Sequence, residues 1–261
     1  MSIVEDRAQV VEDRRGPERP ERRDRPQQHV AGTGEDREKL LSGCFIFQAL
    51  DERDRRELAS YAYCKSYRAG EPIFLMGSAG QSMMAIVAGS VRISVVTPNA
   101  REIVLADLSK GEVFGEMALI DGGERSALAT ALTNTTLLVL DRRDVFALLE
   151  RQPKSALKLL ELLCKRLRQS DERMTELAFL DVPSRLARTL IRAIDSPGCP
   201  VCAQGAKLSF SQSELANMIG SSRENVNRCL KAWQRRGVID MKNGWLIIPD
   251  RAALQALAMH P

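Results

Sequence analysis

No stretch of the sequence reaches the roughly 18 uninterrupted apolar residues that a membrane-spanning helix needs. The opening Met1-Ser2-Ile3-Val4-Glu5-Asp6-Arg7 carries charge where a signal peptide needs an apolar region. The expected location is therefore cytoplasmic. Histidine is almost missing: the two present, His29 and His260, lie near the ends. The six cysteines (Cys44, Cys64, Cys164, Cys199, Cys202, Cys229) are widely scattered, which suits reduced thiols rather than a disulfide framework. Net charge is only +4, so the balance neither demands nor excludes a nucleic acid. No group of residues has the look of a catalytic constellation.

What is present divides the 261 residues into unlike parts. Residues 1–38 alternate Arg, Glu and Asp with Pro and Gln, and hold too little apolar surface to offset the entropy of ordering. They read as a disordered charged tail. Residues 39–150 carry short β-branched and apolar runs: Pro72–Leu75, Met84–Val87, Val91–Val96, Ile103–Leu105 and Thr136–Leu140. Glycine and Pro98-Asn99 turns separate them, the texture of an all-β sandwich or barrel. Helices are expected on its flanks at Asp51–Tyr61 and Arg142–Leu149.

Residues 151–180 hold one long helix, expected from Ser155 to Phe179. Ala156, Leu160, Leu163, Leu167, Ser170, Met174 and Leu177 fall at alternating steps of four and three. That is a coiled-coil seam sustained over about three heptads. A second copy is its simplest partner, and packing on the chain's own β unit is the alternative. Leu159 and Leu162, off the seam, are free to pack on that unit. Asp181-Val182-Pro183 then closes this helix and caps the next, opening a unit at 181–261.

Two segments carry the chemistry. In Phe114–Ala127, Gly115 permits close backbone approach, and Glu116 to Ile120 can make one helical turn whose first N–H groups favour an anion. Arg125 supplies a permanently charged planar donor, and Ser126 a hydroxyl. In the second segment, Ser211 with Glu214 forms a capping box, Gly220 breaks the helix, and Ser222 can cap another. Val226, Leu230 and Trp233 would face the core, leaving Arg223, Glu224, Asn227 and Arg228 opposite. Arginine can read guanine and glutamate can accept from cytosine, so that face suits a major groove. Lys242-Asn243-Gly244 between apolar runs signals a hairpin, read as a wing.

The first segment resembles the phosphate-binding cassette of cyclic-nucleotide-binding domains. With the join Leu177-Ala178-Phe179-Leu180-Asp181-Val182 and the stretch Ser222–Arg228, the chain resembles the Crp–Fnr family of transcription regulators from about Phe45 to Ile248. The resemblance implies an α+β architecture: an N-terminal cyclic-nucleotide-binding β-roll (jelly roll), a long dimerisation helix and a C-terminal winged helix-turn-helix. It implies that Glu116 holds a ribose hydroxyl. Arg125 would pair with a cyclic phosphate, aided by Ser126 and the main chain at Gly115, Glu116, Met117 and Ala118. It implies Arg223, Glu224 and Arg228 as base readers on a palindrome of TGTGA-like half-sites; Ser222 and Asn227 are expected at the DNA beside them, although Asn225 and Asn227 replace other types on this helix and leave the finer operator preference open. It further implies a homodimer through the helix 155–179, cAMP or cGMP as effector without a metal, and RNA polymerase as a partner.

The sequence departs from that pattern where the family's cyclic-nucleotide receptors put two neighbouring hydroxyl residues on the base. Here stand Ser170 and Asp171, so the choice of base is open. Cys199-Pro200-Val201-Cys202 supplies only two of the four ligands of a structural metal site, which favours reduced loop thiols. A redox-responsive regulator using Cys199 and Cys202 without nucleotide is the runner-up. A cyclic-nucleotide-binding subunit of an enzyme is a weaker third, disfavoured by the helix-turn-helix.

Overall fold

The computed structural model describes residues 37–38, 41–44, 47, 50–97, 102–196, 199–202, 205–242 and 244–259. The expected tail lies outside the described residues except for Arg37 and Glu38, which are helical. Helix α1 (Glu52–Tyr61) is capped by Asp51, whose carboxylate accepts the Asp54 N–H at 2.8 Å. Eight strands follow: β1 (Tyr63–Tyr67), β2 (Pro72–Phe74), β3 (Ser82–Ala88), β4 (Ser90–Val96), β5 (Glu102–Ser109), β6 (Val113–Phe114), β7 (Leu128–Ala131) and β8 (Thr135–Asp141). Helix α2 (Glu116–Asp121) lies between β6 and β7, and α3 (Arg142–Arg151) follows β8.

The strands make two antiparallel sheets, β1-β8-β3-β6 and β2-β7-β4-β5. One apolar cluster, including Met84, Ile86, Phe114, Leu137 and Val139, joins residues of both sheets. A second, with Met83, Ala85, Leu138 and Leu140, joins the first sheet to α1 and α3. Strands β3 and β8 thus bury both faces, which is why they read in sequence as unbroken apolar runs rather than alternations. Strands β1, β6 and β7 escaped the sequence reading. β1 is Tyr-Cys-Lys-Ser-Tyr, β6 has only two residues, and β7 is built mainly of small side chains.

Helix α4 runs from Pro153 to Phe179, with proline in its first turn where no backbone donor is lost. Leu159 is buried, and Leu162 packs against the same cluster beside α3. The seam faces elsewhere. Leu160, Leu167, Met174 and Leu177 are all more than half exposed. The seam therefore does not pack on the chain's own roll.

Asp181 caps α5 (Val182–Ile194), accepting the Ser184 N–H at 2.8 Å. After it come β9 (Val201–Cys202), β10 (Gly205–Leu208), α6 (Gln212–Ile219), α7 (Arg223–Arg235), β11 (Asp240–Lys242), β12 (Trp245–Ile248) and α8 (Arg251–Ala258). The sheet order is β11-β12-β10-β9. Val226, Leu230 and Trp233 enter the core of this unit together with Leu186 and Leu190 of α5. Burying each such side chain stabilises by about 1.5–3 kcal/mol. Helix α8, not foreseen from sequence, closes that core with Leu254, and its Leu257 carbonyl accepts from Ser184 Oγ at 3.2 Å.

Candidate functional site

The cassette is built around an arginine turned inward. Gly115, at φ +80°, ends β6 and caps α2. A Cβ there would stand 2.5 Å from Arg125 Nη1, so a side chain would displace the guanidinium. Arg125 is 5% exposed. Its Nη1 donates to the Gly115 carbonyl at 2.8 Å, and its Nη2 to the Ser82 carbonyl at 2.8 Å and Ser82 Oγ at 3.2 Å. The guanidinium carbon sits 4.4 Å from the centroid of the Phe74 ring, a cation–π arrangement. Burial pulls its pKa below the ordinary arginine value, and the nearby Glu116 acts in the opposite direction.

Glu116 is wholly buried. One of its oxygens accepts from Arg166 of α4, which also donates to the Val113 carbonyl. Two polar atoms of the cassette have no hydrogen-bond partner among the described residues, Arg125 Nε and Glu116 Oε2. Buried atoms of this kind are normally satisfied. Gly80 packs closely against this part of the cassette: a Cβ on it would come 2.3 Å from Ala118 Cβ and 3.0 Å from Arg125 Nε. Ser126 is exposed, and its hydroxyl points at Met117 Sδ, 3.7 Å away.

Sequence reasoning missed Arg166, Ser82 and Phe74. For Arg166 a signal existed. Leu159, Arg166 and Arg173 recur every seven residues along the side of α4 that meets the roll. Ser82 and Phe74 lie in apolar strands and had no signal of their own. Ser170 and Asp171 stand exposed further along α4, and no hydrogen bond or ion pair among the described residues joins them to the cassette.

In the C-terminal unit the capping box closes as expected. Ser211 Oγ accepts the Glu214 N–H at 3.1 Å, and Glu214 Oε2 accepts the Ser211 N–H at 2.8 Å. Gly220, at φ +61°, makes the turn. Ser222 Oγ accepts the Asn225 N–H at 3.2 Å, so this residue serves as the cap of α7. Arg223, Glu224 and Arg228 are exposed together on the first turns of α7. Asn227 is half-buried and accepts from Gln212 Nε2 at 3.4 Å. The face offers two forked cations and a carboxylate, a set able to read base edges.

The wing pairs Lys242 with Trp245 across a two-residue loop, with Gly244 at φ +78° and Asn243 outside the described residues. Lys207 lies over the Trp245 ring, 4.1 Å from its centroid. Cys199 is a free thiol packed at the edge of the C-terminal core, and Cys202 belongs to β9. Among the described residues no group of His, Cys, Asp and Glu is arranged to hold a metal ion. No described helix is long and apolar enough to cross a membrane.

Comparison with known proteins finds relatives for both units. The family model for the cyclic nucleotide-binding domain matches residues 64–152, and that for the Crp-like helix-turn-helix domain matches residues 184–257. The cyclic AMP receptor protein of Thermus thermophilus is 35% identical over 218 residues, covering 84% of this chain and 98% of that protein. The CRP-like cAMP-activated global transcriptional regulator of Mycobacterium tuberculosis is 28% identical over 221 residues, covering 83% and 97%. Among solved structures, the c-di-GMP-responsive global regulator CLP of Xanthomonas campestris matches with a TM-score of 0.71 and 27% identity, covering 77% of this chain and all of that one.

Proposed function

The chain belongs to the Crp–Fnr family of DNA-binding transcription regulators, and we propose that a cyclic nucleotide held in the Arg125 cassette switches a homodimer between weak and tight binding to palindromic DNA. One observation carries the ligand. The two unpartnered buried atoms are of opposite kind, a donor at Arg125 Nε and an acceptor at Glu116 Oε2. A ribose cyclic phosphate offers oxygens to the first and a hydroxyl to the second. Ser126 and the main-chain N–H groups from Gly115 to Ala118 add donors, and Met117 flanks the opening.

Relatives are named for cAMP and, in the Xanthomonas protein, for c-di-GMP. One unpartnered guanidinium donor beside one unpartnered carboxylate oxygen suits one phosphate and one ribose, which favours cAMP or cGMP. The base would meet Ser170 and Asp171, the latter an ionised acceptor pair matching the adjacent N1–H and N2–H of guanine. The exposed leucines of α4 would pair with a second copy. Arg223, Glu224, Asn227 and Arg228 would then enter successive major grooves, with Ser222 holding the start of α7. Such a regulator works in the cytoplasm with RNA polymerase, and this reading needs no metal.

Calorimetry with cAMP and cGMP tests the site. Arg125→Leu removes a charge-assisted pair of at least about 1.5–3 kcal/mol, so affinity falls tenfold or more with the fold intact by circular dichroism. Asp171→Ser lowers the ratio of cGMP to cAMP affinity. Unchanged affinity in the first variant, or an unchanged ratio in the second, contradicts the corresponding assignment.

A further inference from the structure

Two asparagines stand near the start of α7, and their hydrogen bonds give them different tasks. Asn225 Nδ2 donates to Ser221 Oγ at 3.3 Å, back into the turn that joins α6 to α7. Its backbone N–H is taken by the Ser222 cap. Asn225 thus belongs to the scaffold of the turn. Asn227 lies four residues beyond Arg223, three beyond Glu224 and four before the exposed Lys231, so it shares their side of the helix. Val226, Leu230 and Trp233 hold the other side in the core.

The Asn227 amide is held in one direction. Gln212, the first residue of α6, donates from Nε2 to Asn227 Oδ1 at 3.4 Å, and both side chains are half-buried. The capping box of Ser211 and Glu214 closes around Gln212 and fixes the backbone that carries it. A side-chain amide has an acceptor end and a donor end. With its oxygen turned toward α6, Asn227 is left with Nδ2, which has no hydrogen-bond partner among the described residues.

That direction decides what the residue can read. An unrestrained asparagine holds adenine by both ends at once, accepting from N6 and donating to N7. Held by Gln212, the amide can only donate. A lone donor fits guanine, whose N7 and O6 both accept, and is refused by cytosine, which presents only its N4 amine. Adenine keeps one acceptor, N7, and loses the second bond.

We propose that Gln212 sets base specificity from outside the recognition helix: by holding the Asn227 oxygen, it turns Asn227 from an adenine reader into a donor that selects guanine at one base pair of each half-site. Gln212 is the positioning residue and Asn227 makes the contact. The role rests on the reading of α7 as the base-reading helix, and adds a base pair to those assigned to Arg223, Glu224 and Arg228.

Selection from a randomised duplex library by the full chain with saturating cAMP, read by sequencing, tests it. In the parent, one position of the half-site prefers guanine about two- to tenfold, the range for one neutral hydrogen bond, and Asn227→Ala levels that position alone. Gln212→Ala frees the amide, and the preference there moves to adenine. Gln212→Glu puts an acceptor where the donor was, so the amide turns over and presents its oxygen; the preference moves to cytosine. The glutamate also lowers affinity for every sequence, which leaves the ratios between bases intact. Preferences at the other positions stay as in the parent in all three variants and show that the C-terminal unit is folded.

Unchanged preferences in both Gln212 variants overturn the role of Gln212. Uniform weakening on every sequence in Asn227→Ala overturns the contact by Asn227. Either result leaves the functional reading standing. A parent chain that selects no sequence overturns the functional reading and this role together.

Discussion

Arg166, carried on the long helix, is hydrogen-bonded to the buried carboxylate of Glu116 at the head of the cassette helix. One ion pair thus ties the candidate ligand site to the element that bears the candidate dimer seam. Among the described residues the second oxygen of Glu116 has no partner, so the same carboxylate can face Arg166 and a ligand hydroxyl at once.

Removing Arg166 isolates a fully buried carboxylate. Arg166→Met is expected to destabilise the roll by about 1–3 kcal/mol, the usual penalty for an unsatisfied buried group, since the arginine itself is partly exposed. Arg166→Met with Glu116→Gln restores much of that loss. Thermal melting of both variants checks it; equal losses in the two would mean that the pair contributes nothing.

Leu167 is 63% exposed at the middle of the seam. Leu167→Glu places two carboxylates against each other in any dimer formed along it, and like charges there are destabilising. Sedimentation velocity is expected to find a dimer for the parent and a monomer for the variant. A variant that stays dimeric moves the interface off this helix.

Arg223 is exposed on the first turn of α7, beside Glu224 and Arg228. Arg223→Ala is expected to weaken binding by about 1–3 kcal/mol and to relax the preference at one guanine of the half-site. Binding arrays of single-base variants read this directly. Equal weakening on every sequence would make Arg223 a phosphate contact.

The elements that announce themselves by local chemistry were legible in the sequence. The Asp181, Ser211 and Ser222 caps each accept the N–H of the third residue on, and Val226, Leu230 and Trp233 are buried as their spacing requires. What stayed hidden depends on long-range pairing. Strand β7 is stabilised by lying between β2 and β4, and nothing within Leu-Ala-Thr-Ala demands a strand. Arg92 is 7% exposed because Asp107, fifteen residues away, meets it across the ladder, a partner that nothing in its own strand announces. Likewise the cassette's own motif named Glu116 and Arg125 but not Arg166, which arrives from a helix fifty residues later.

The most direct test of the whole account is DNA binding by the purified chain, followed by fluorescence anisotropy on a palindrome of TGTGA half-sites about one helical turn apart. With saturating cAMP or cGMP, affinity is expected to rise at least about tenfold, an allosteric coupling of about 1.4 kcal/mol or more. Arg125→Leu should abolish that gain while keeping basal binding. Affinity unchanged by either nucleotide, and altered only when Cys199 and Cys202 are oxidised, would contradict it.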